Sequence, residues 1–175
     1  MIISLYILLI FLLAIFQVSF LSHFQILQIT PNLILAAVIS WCILKDYKNA
    51  FLWALGGGLL LDLFSGIFFG FYMITYLLAV LLVYYLISRF INTDTVYSRI
   101  GIMSLATVVL NLFLAIFFIL LGFLKLEYTD YLKNLWYKTL IEIVLNVVSI
   151  LVIYGLIKKI QEFVIAYKDR IKIKT

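Results

Sequence analysis

The chain has 175 residues, of which 67% are hydrophobic and 12% charged, and it carries a net charge of +5. That composition excludes an ordinary soluble domain and points to an integral membrane protein of one domain. With one His and one Cys, and no phosphate-cradling motif, the sequence offers no metal-ligand set, cofactor site or catalytic constellation, and the expectation is a non-enzyme.

The first 44 residues hold no Lys, Arg, Asp or Glu, and residues 2–21 are apolar apart from Ser4, Gln17 and Ser19. This run matches the roughly 20 residues that cross a bilayer core, and it lacks the basic start and the cleavage site of a signal peptide. It is read as a retained first span. The connection that follows contains His23, read as a solvated loop residue, and the only proline, Pro31, which suits the first turn of a helix. Residues 33–44 form a second, short span that either begins before Pro31 or thins the bilayer locally. Cys42 within it is a packing residue.

Lys45, Asp46 and Lys48 make a charged turn, and from there to Arg89 the only charge is Asp62. The interval accommodates a third span at 50–64 and a fourth at 71–87, joined by a turn at 65–70. A carboxylate inside an apolar run is costly and must have a partner. Gly56, Gly57 and Gly58 allow close helix approach, and Asp62 is expected to accept N–H groups of the Ser65–Gly66 turn, with Gly66 and Gly70 taking conformations closed to other residues. Asp62 is thus read as a turn clasp.

A polar loop leads to a fifth span at 100–124, then to a short interfacial helix at 125–138 and a sixth span at 139–157. The fifth span carries Ser104, Thr107 and Asn111 at helical spacing, and the sixth carries Glu142, Asn146 and Ser149, with Lys138 one turn before Glu142. Packing and a local Lys138–Glu142 pair account for the stripe, and a hydrogen bond between Asn111 and Asn146 is expected. Residues 158–175 form a basic amphipathic tail suited to an anionic lipid surface, not to nucleic acid. Of the 13 Lys and Arg residues, ten fall on the side of the termini and three on the other. The positive-inside rule therefore places both termini in the cytoplasm.

The pattern G-x3-D-x2-S-G-x3-G, here Gly58, Asp62, Ser65, Gly66 and Gly70, resembles the central motif of the rod-shape-determining protein MreD family. Pro31-Asn32, the short basic turn after the second span, the length and the charged tail are similar as well. The resemblance implies an all-α, six-span membrane protein of the bacterial cytoplasmic membrane. It would partner MreC and, with MreB and the RodA glycosyltransferase and its transpeptidase, help to direct lateral peptidoglycan synthesis. The family also resembles in fold the substrate-binding subunits of energy-coupling-factor transporters, so a vitamin-type transport subunit is the alternative. Span one holds only Ala14 among bulky residues, whereas such subunits carry a small-residue pattern there to grip their coupling partner, and the scaffold reading is preferred.

Overall fold

A computed structural model describes residues 2–21, 29–65, 69–89, 95–123 and 135–172. The described residues form helices and contain no strand. In chain order these are α1 (Ile2–Ile15), prolonged by one π-helical turn (Phe16–Phe20), α2 (Leu33–Ile43), α3 (Tyr47–Ser65), α4 (Phe71–Arg89), α5 (Val96–Phe123) and α6 (Leu135–Lys172). Three apolar stretches, Phe71–Arg89, Val96–Phe117 and Trp136–Ala166, are long enough to cross a bilayer, while Tyr6–Phe20 and Leu33–Ile43 are shorter.

The bundle is built around α2. Its sequence, L-I-L-A-A-V-I-S-W-C-I, has apolar side chains on every side, and a helix of that kind is stable only when surrounded. Every residue from Ile34 to Ile43 is buried, and Ser40, the sole hydroxyl, returns its proton to the Ala36 carbonyl at 2.7 Å. Trp41 packs against Tyr6 of α1 and Trp53 of α3, with ring centroids 5.5 and 6.3 Å away. The helix starts at Leu33 and does not reach back through Pro31. Its far end closes where Lys45 N–H donates to the Cys42 carbonyl at 2.9 Å and Asp46 N–H to that of Trp41 at 3.0 Å. This reversal requires a left-handed residue at Lys45, whose φ is 58°.

The outer faces are apolar: Leu8, Leu81, Ile119, Val144 and Val152 are all exposed, while Asn32, Asp62, Thr107, Asn111 and Asn146 are buried. An apolar exterior with the polar groups of the spans turned inward is the arrangement that lipid requires, and the chain is a membrane protein. Contacts also sort its two ends. Tyr47 meets Tyr84 at 4.7 Å, Phe71 at the start of α4 meets Phe113 late in α5 at 5.4 Å, and Arg99 stacks on Tyr154, which gathers Lys45, Lys48, Arg89, Arg99, Lys158 and Lys159 at one end. Trp136 and Tyr137, both exposed, stand at the other.

The segments read as the sixth span and the tail share one continuous helix, α6. Most of the expected interfacial helix at 125–138 lies outside the described residues, as do His23, Gly66 and residues 173–175.

Candidate functional site

The first half of the site is the crossing of α3 and α4. Helix α4 opens at Phe71, and its capping position is held by Gly70, which has a φ of +92° and no side chain to take up the free N–H groups of the first turn. Asp62 takes them up from α3. Its Oδ1 accepts from Tyr72 N–H at 2.7 Å and its Oδ2 from Met73 N–H at 3.2 Å. The carboxylate lies at the N-terminal end of α4, where the backbone N–H groups of the first turn converge. Asp62 thus grips the first turn of the next helix, while the expected bonds to the Ser65–Gly66 turn lie outside the described residues.

Gly58 makes that reach possible. It lies one helical turn before Asp62, and a Cβ there would stand 2.5 Å from Met73 Cα, 2.7 Å from Met73 N and 3.1 Å from the Tyr72 carbonyl carbon. Only a residue without a side chain lets the α4 backbone come so near. Its neighbours face other helices. A Cβ at Gly57 would collide with Cγ2 of Ile34 in α2, and one at Gly56 would touch Ile10 of α1 at 3.7 Å. Three successive glycines, about 100° apart around the helix, thus open α3 toward three partners. Ser65 ends α3, and its side chain lies outside the described residues.

The second half of the site is a buried polar cluster at the start of α2. Asn32 caps that helix, its Oδ1 accepting from Leu35 N–H at 3.0 Å and from the Tyr76 hydroxyl at 2.7 Å. Asn146 Oδ1 accepts the Asn32 N–H at 2.7 Å, and Gln17 Oε1, in the π-helical turn after α1, accepts the Ile34 N–H at 3.1 Å. Asn146 Nδ2 donates to Thr107 Oγ1 at 3.0 Å and more weakly to Glu142 Oε1 at 3.5 Å. Asn111 Nδ2 donates to Glu142 Oε2 at 2.7 Å and to the Thr107 carbonyl at 3.1 Å. Asn111 and Asn146, expected to bond to each other, are joined through Glu142 and Thr107 instead.

No protein-family model, characterised protein or solved structure matches the chain.

The structure brings Asn111, Glu142 and Asn146 together, as their spacing suggested, and adds three residues that sequence reasoning did not assign to a site. Asn32 and Gln17 were visible as polar residues at the edges of apolar runs. Tyr76 was hidden as one aromatic among many, though a tyrosine buried within a span, where phenylalanine would do for packing, signals a hydroxyl that needs a partner. Among the described residues no group of three or more His, Cys, Asp or Glu side chains could hold a metal ion. What this arrangement can do chemically is hold helices: its donors and acceptors are turned on one another.

Proposed function

We propose that the chain is a non-enzymatic membrane scaffold of the MreD type, crossing the bacterial cytoplasmic membrane six times with both termini inside. In this reading it associates with MreC and, with MreB and the RodA synthase pair, helps to direct lateral peptidoglycan synthesis. One observation carries the reading beyond the sequence resemblance. The residues of the G-x3-D motif and of the polar stripe serve contacts between helices, with Asp62 on Tyr72 and Met73, and Glu142 on Asn111 and Asn146. Polar groups used in this way fix a rigid bundle and leave the apolar outer faces to meet other membrane helices.

The test is twofold. Tagged protein isolated from native membranes should retain MreC, and depletion should round or swell rod-shaped cells. Cells that keep their shape on depletion but lose uptake of a vitamin would replace the scaffold with the transport subunit.

A further inference from the structure

We draw no further inference here: the strongest candidate, the half-buried Glu142 carboxylate where α6 packs on α5, belongs to the polar cluster already described, with its oxygens on Asn111 and Asn146.

Discussion

Asp62 caps a helix to which it does not belong. Because α4 begins with glycine at its cap, the two N–H groups of Tyr72 and Met73 depend on a side chain ten residues earlier in the chain. Asp62→Asn keeps one acceptor but turns an amide donor toward the second N–H, so it should cost about 1 kcal/mol; Asp62→Leu loses both bonds and should cost about 2–3 kcal/mol. Thermal unfolding in detergent checks the order. An Asn variant as unstable as Leu would show that the charge, not the hydrogen bonds, is what α4 requires. At Gly58 a methyl group meets backbone atoms that cannot rotate away, so Gly58→Ala should cost upward of about 2 kcal/mol. Gly101→Ala and Gly155→Ala, both facing open space within helices, should instead raise stability by about 0.5–1 kcal/mol each. The importance of Gly58 and Asp62 was legible because Asp62 is the sole charge in a long apolar interval. Its partner was not, since spacing says nothing about where the chain re-enters a helix after a turn.

At the scale of elements, α2 decides how the others are arranged, and it does so by lying inside them. Eleven residues at about 1.5 Å each span about 16 Å, roughly half a hydrocarbon core, so its N-terminus is capped within the bundle. Side chains of the surrounding helices satisfy it. Gln17 in the π-helical turn after α1, Tyr76 of α4 and Asn146 of α6 bond there, and the three segments become tied to one helix end. Asn146→Leu removes the acceptor of Asn32 N–H and a donor to Thr107, and should cost about 1–3 kcal/mol. Tyr76→Phe removes one bond from an oxygen that keeps another donor, and should cost about 1 kcal/mol. Both are read from unfolding midpoints. Equal losses would mean that the Tyr76 hydroxyl matters as much as the whole amide. At the opposite end, Lys45→Gly relieves a left-handed non-glycine residue and should stabilise by about 1 kcal/mol. The all-round apolar character of α2 was plain in the sequence. What could not be read was its depth, because a short apolar helix looks alike whether lipid or other helices surround it.

For the molecule as a whole, the charge pattern and the contacts agree on which residues share an end. If that end is cytoplasmic, single cysteines at Lys45, Arg89 and Lys158 should resist an impermeant maleimide in intact cells and react after permeabilisation, while one at Trp136 should react at once. Cys42 is buried and should stay silent as a background. Labelling of the Lys158 replacement in intact cells would overturn the proposed six-crossing arrangement. Helix α6 adds a mechanical consequence. Its 38 residues extend about 57 Å, well beyond the roughly 30 Å of hydrocarbon, and Val164 near its far end is still packed into the core. A rod of this length, gripped at several points, cannot bend freely at the membrane surface. About a pivot midway between Trp136 and Phe163, about 20 Å from each, a tilt of about five degrees would move the two ends by about 2 Å in opposite directions, so a displacement at one end of so stiff a helix is felt at the other.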